Sequence, residues 1–100
     1  MISTTEAEAL AQGILTFIAD HQGQHGRIRT ARICMGLAVG MEGLEQYVVP
    51  AAGQWPIRTS VELVDALLAG GLLEQTAGPR PTLVLTRPGF RALDSLEGLS

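Results

Sequence analysis

One hundred residues, 46% of them apolar, suffice for one domain around one core and not for two. The single cysteine, Cys34, excludes an internal disulfide framework and a four-cysteine zinc site. The net charge of −3 is acidic overall, and no run of about 18 uninterrupted apolar residues is present to span a membrane.

The charges are segregated. There is no lysine. Arg27, Arg29 and Arg32 lie between His21 and Met41 with no acid among them. Arg80, Arg87 and Arg91 lie between Gln75 and Leu93, again without an acid, and the remainder holds all ten acids and Arg58. This predicts a local anion-binding face on an acidic protein, with scattered solvated charges as the alternative. The acidic start MISTTEAEAL has no apolar signal core, which predicts a cytoplasmic protein.

A first helix is predicted from about Thr5 to Asp20. Ser3 with Glu6, or Thr5 with Glu8, has capping-box spacing. Ala7, Leu10, Ala11, Ile14, Leu15, Phe17 and Ile18 recur at helical spacing as one buried stripe. The glycines of HQGQHG then end the helix. A shorter second helix follows from Arg27 to about Met35, with Ile28, Ala31, Cys34 and Met35 inward and Arg29 and Arg32 outward. Arg27 falls in its first turn, where the helix dipole disfavours a cation and a bound phosphate offsets that cost.

The stretch from Gly36 to Pro56 is rich in glycine and proline and reads as a connection with one helical turn near Glu42 to Tyr47. Tyr47 and Trp55 are expected to plug the core, base stacking being the alternative. A third helix is capped by Thr59 and Glu62, turns Val61, Val64, Leu67 and Leu68 inward and ends at Gly70-Gly71. GLLEQTAGPRPTLVLT then reads as a hairpin, with strands near Leu72–Gln75 and Leu83–Thr86. Pro88 suits the first turn of a closing helix that packs Phe90, Leu93 and Leu96 inward.

Three helices, a hairpin and a closing helix are the order of a winged helix, mainly α with a small β-hairpin, its loop being the wing. Residues 1–100 are read as a single such domain.

Catalysis finds no support. The P-loop and dinucleotide fingerprints are absent, and Ser60 reads as a helix-start residue rather than a nucleophile. His21, His25 and Cys34 have the chemistry of zinc ligands, but a glycine-containing turn does not fix their geometry. No enzyme activity, cofactor or metal is therefore expected.

DNA is the expected partner, but in an unusual way. The outer face of the third helix carries Glu62 and Asp65 and no base within the helix, so insertion into a major groove would push carboxylates toward phosphates. The arginines instead mark the second helix and the wing, where bidentate arginine–phosphate bonds can grip the backbone.

Three pieces of this sequence resemble the winged-helix part of the RQC domain, found beside the core of RecQ DNA helicases. They are ILTFIADHQGQHGRIRTARICMG, VELVDALLAGGLLEQ and PTLVLTRPGFRAL, and the similarity spans residues 10 to 96. The HGR turn is the piece specific to RQC, whereas the other two occur in many winged helices. The resemblance implies a grip on duplex ends and forks through the second helix, the start of the third and the wing. Carried onto this chain, that places Arg27, Arg29, Thr30, Arg32, Thr59 and Ser60 on the backbone, with Pro79 and Arg80 at the wing tip, and Arg58 beside Thr59 is counted with the DNA-binding residues. It also implies a setting in DNA replication or repair, with a helicase or other DNA-processing protein as partner and no membrane.

The chain departs from the family in three respects. ATPase motifs are absent, the four-cysteine module is absent, and the loop TAGPRP has no aromatic side chain for a terminal base pair. It reads as a stand-alone RQC-like protein or an excised domain, and its start favours the former. Two further readings stay open: a protein-interaction winged helix without DNA binding, which the acidic surface and the apolar segment GLAVGMEGL favour, and a small transcription regulator.

Overall fold

The computed structural model describes residues 4–98. Its elements are α1 (Thr4–Asp20), α2 (Arg27–Met35), 3₁₀ turns at Glu45–Tyr47 and Pro50–Gln54, α3 (Ile57–Ala69), β1 (Leu73–Gln75), β2 (Leu83–Leu85) and α4 (Arg87–Gly98). The protein is thus mainly helical with one two-stranded antiparallel hairpin, in which Leu73 faces Leu85 and Gln75 faces Leu83. None of these helices is long and apolar enough to cross a membrane.

The apolar stripe of α1 forms the middle of the core. Leu10, Ile14, Leu15, Phe17 and Ile18 are fully buried, and α2, α3, α4 and β2 all pack against the helix. Each large side chain so buried contributes about 1.5–3 kcal/mol. Gly13 sits in this helix because Val49 needs its space: a Cβ there would lie 2.6 Å from Val49 Cγ2.

A hairpin of this size is marginal in isolation. Here the turn after α1 covers the outer edge of β2. Gly23 N–H donates to Leu83 O (2.9 Å), Leu83 N–H to His25 O (2.8 Å), and Leu85 N–H to Gln22 Oε1 (2.8 Å). These bonds satisfy an edge that would otherwise stay open. They also set the start of α2 beside the hairpin loop, where a Cβ on Gly26 would lie 3.2 Å from Pro81 O.

Gly36 closes α2 in the left-handed conformation (φ 79°), with Leu37 N–H on Arg32 O and Gly36 N–H on Ile33 O. Gly71 (φ 78°) closes α3 with the same pair of bonds. At the start of α4, Thr86 Oγ1 accepts from Gly89 N–H (3.1 Å) and its own hydroxyl donates to Gly71 O (2.6 Å). One threonine therefore caps α4 and ties it to the end of α3.

Several expectations need correction. Helix α3 starts at Ile57, because Pro56 takes the extended N-cap conformation, so Thr59 and Glu62 lie inside the helix and form no capping box. Thr5 likewise lies inside α1, and Ser3 is outside the described residues. The connection makes two 3₁₀ turns, at Glu45–Tyr47 and Pro50–Gln54, in place of one helical turn from Glu42. Phe90 is 45% exposed, since Gly89 and Leu93 take the inner face of α4. Ile28 is 51% exposed, because the buried arc of α2 is rotated toward Thr30 and Ile33.

Gly89 shows how closely α4 is seated. A Cβ there would run into the Leu72 carbonyl oxygen and lie 2.9 Å from Leu85 Cγ. Gly89→Ala is therefore expected to destabilise the protein by about 1–3 kcal/mol, as overpacking does. Denaturant unfolding measures this, and a neutral substitution would show that α4 is free to move off the hairpin.

Candidate nucleic-acid interface

Helix α3 crosses α2 so that Asp65 meets Arg27. Arg27 Nε donates to Asp65 Oδ1 (2.6 Å) and Nη2 to Oδ2 (3.0 Å), a bidentate pair. The first-turn cation of α2 is thus held by a carboxylate of the same chain rather than kept for a phosphate. The carboxylate raises the guanidinium further above its ordinary value, chiefly through the hydrogen bond. Asp65, expected to repel DNA, is neutralised by the same contact.

Two other expected contacts lie inside the protein. Thr30 and Ser60 are 0% exposed, and neither hydroxyl has a hydrogen-bond partner among the described residues. Both occupy the packed sides of α2 and α3, where small side chains fit between helices. They cannot reach a ligand. Thr59 is half-buried in the first turn of α3.

Three of the remaining arginines gather. Arg29 and Arg32 line a depression with Ile28, Leu37, Ala38 and Val39. Arg32 and Arg58 line a neighbouring groove, about 370 Å³ in volume, with Ile28, Ile57 and Val61. Ile28 and Arg32 belong to both, so the two form one continuous face. Glu62 and the already paired Asp65 complete the groove. Among the described residues Arg29, Arg32 and Arg58 have no ion-pair partner. Arg29 makes only long bonds, 3.4 Å, to Val39 O. Pro79 and Arg80 are exposed on the hairpin loop, next in sequence to the Pro81 that lies beside the start of α2.

Helix polarity adds to this pattern. The first turns of α2, α3 and α4 contain no acid, and Arg27, Arg58 and Arg87 stand there instead. The positive end of the helix dipole disfavours each of them.

In the HQGQH turn Gln22, Gly23 and Gln24 are exposed, while the two histidines are half-buried against the core. His21 stacks on Phe17 with ring centroids 4.6 Å apart and its Nδ1 lies 3.0 Å from Phe17 O. His25 lies 5.1 Å from Phe17, and Tyr47 meets both Phe17 and His21 edge-on. Tyr47 O–H donates to Asp20 Oδ2 (2.7 Å), so Tyr47 plugs the core as expected while Trp55 is only partly buried against it. Burial, then Arg29, then His21 lower the pKa of His25 below 6.5. Cys34 is buried and its thiol is pushed up to about 12. Among the described residues no three His, Cys, Asp or Glu side chains group as metal ligands.

The apolar segment GLAVGMEGL, which the sequence offers as a partner surface, supplies Leu37 and Val39 to this face, whereas the exposure of Ile28 departs from its expected inward place. Charge spacing marks Arg29 and Arg32, whereas Arg58 stands among the acids in the sequence and joins them only where α3 packs on α2. Comparison of the chain with protein-family models, curated proteins and solved structures finds no match.

Two measurements test this geometry. The Arg27 and Asp65 side chains are 36% and 46% exposed, so solvent screens the pair and a double-mutant cycle should return about 0.5–1 kcal/mol of coupling. A coupling of zero would release Arg27 to bind other anions. For His25, the folded state disfavours the proton, so the unfolded chain binds more protons between the lowered pKa and 6.5. Stability is therefore expected to fall as pH drops through that window. The fall should be smaller in His25→Gln, and an identical pH profile for the variant would remove His25 as its source.

Proposed function

We propose that this chain is an RQC-like winged helix that binds DNA ends and forks without catalysing a reaction and with little preference for base sequence. The convergence of Arg29, Arg32 and Arg58 on one face, without an ion-pair partner among the described residues, carries this reading. An exposed guanidinium without a carboxylate partner is a bidentate donor pair for a phosphate, and three together track a backbone. Internal neutralisation of Asp65 removes one of the two carboxylates that would oppose a polyanion.

The placement of the hairpin supports the same reading. Its loop lies beside the start of α2, and the turn from Gly23 to His25 pairs with β2, as expected if the hairpin is the wing of a winged helix. Arg80 then extends the cationic face, held between Pro79 and Pro81, which restrict the backbone and lower the entropy lost on ordering it. The partners are duplex ends and forks, with a helicase or another DNA-processing protein acting on the same structure. Arg27, Thr30 and Ser60 take no part in contact, and the replication or repair setting rests on the resemblance to RQC domains.

The reading is tested by titrating forked, blunt and single-stranded DNA at several salt concentrations. About four contacts, from Arg29, Arg32, Arg58 and Arg80, give a log–log salt slope near −3.6 on duplex DNA. Arg80→Ala should make the slope shallower by about 0.9 and lower affinity similarly on every sequence. An unchanged slope would take the wing out of the interface. A folded protein that binds none of these DNAs at low salt would overturn the proposal.

A further inference from the structure

Four large apolar side chains stand in solvent on the α2–α3 face: Ile28 (51% exposed), Leu37 (57%), Val39 (88%) and Ile57 (37%). Single exposed apolar residues are ordinary, but four on one face form a patch, and patches mark interaction surfaces. A phosphate backbone gives such a surface no complement. An apolar side chain from another protein does.

The charges around the patch select the occupant. Ile28, Ile57 and Val61 line the groove with Arg32 and Arg58, and Arg29 flanks the adjoining depression. Arg27 already holds Asp65, which leaves Glu62, among the described residues, as the one carboxylate of the groove without an arginine partner. The face is therefore cationic on a chain whose net charge is −3. A symmetric contact with the same face of a second copy would bring the same excess of arginine, so that form of self-pairing is opposed. The complement is an apolar stripe bordered by carboxylates.

We infer that the α2–α3 groove docks an acidic amphipathic helix of a partner protein. Side chains at i and i+3 or i+4 of that helix sit on Ile28, Ile57 and Val61, and its carboxylates meet Arg32 and Arg58. The occupant covers two of the arginines assigned to DNA, so the two ligands compete. The inference does not rest on DNA binding and stands if that reading fails.

Selection of peptides from a random display library on the full chain tests it. The expected winners combine helically spaced Leu, Ile or Phe with Glu or Asp, and shift the methyl NMR signals of Ile28, Ile57 and Val61. Ile57→Ser and Arg58→Glu, both at exposed positions, should each weaken the best peptide about tenfold or more without lowering the melting temperature, a hot-spot effect. Arg58→Glu should also strengthen binding of the same peptide with lysine in place of its acids. Duplex DNA should displace the peptide if it binds the chain at all. Enrichment of basic or uncharged peptides, binding that maps elsewhere, or equal affinity for the lysine version overturns the inference. A library that enriches nothing while duplex DNA shifts the same methyl signals assigns the face to nucleic acid alone, and also overturns it.

Discussion

A helix of 17 residues that buries one broad face gives its neighbours only one place to dock, and in this protein α1 is that helix. Its fully buried residues, from Leu10 to Ile18, are shared among α2, α3, α4 and β2. None of the other elements is long enough to be stable by itself, since isolated helices below about 12–15 residues are marginal and short hairpins more so. The positions of α2 and the hairpin, and with them every candidate functional arginine outside α3 and α4, follow from how they seat on α1. The turn from Gln22 to His25 joins this packing to the sheet by closing β2 with backbone and side-chain bonds.

Electrostatics then sorts arginines that look equivalent in the sequence. Arg27 and Arg29 are two residues apart, yet one is clamped by Asp65 and the other reaches only a backbone carbonyl at 3.4 Å. The difference comes from α3 crossing α2 near its first turn. That contact removes a cation from the outward set and a carboxylate from the repulsive one, so the net charge of the face hardly changes while its pattern does. What remains, Arg29, Arg32 and Arg58 around Ile28, is both cationic and apolar.

That combination is chemically specific. Phosphates reward the guanidinium groups and ignore the isoleucines, whereas a partner with carboxylates beside an apolar stripe rewards both. The buried hydroxyls of Thr30 and Ser60 sharpen the boundary, because they separate the inner sides of α2 and α3 from the face that ligands can reach.

The four helices and the hairpin are legible in local sequence patterns. Helical spacing placed α1 and α2, paired glycines marked the end of α3, and the alternation of Leu83 and Leu85 marked a strand, because these signals are local and repeat along the chain. The sequence by itself also located the arginine clusters, since charge spacing is legible without a fold. Which of those residues face outward depends on how the elements pack together. The buried arc of the nine-residue α2 is set by two neighbours on different sides, so Thr30 turned in and Ile28 out against the periodicity. Arg27 and Asp65 are 38 residues apart, and His21 meets Tyr47 across 26. No local pattern encodes a contact of that span: it exists only once two helices have packed.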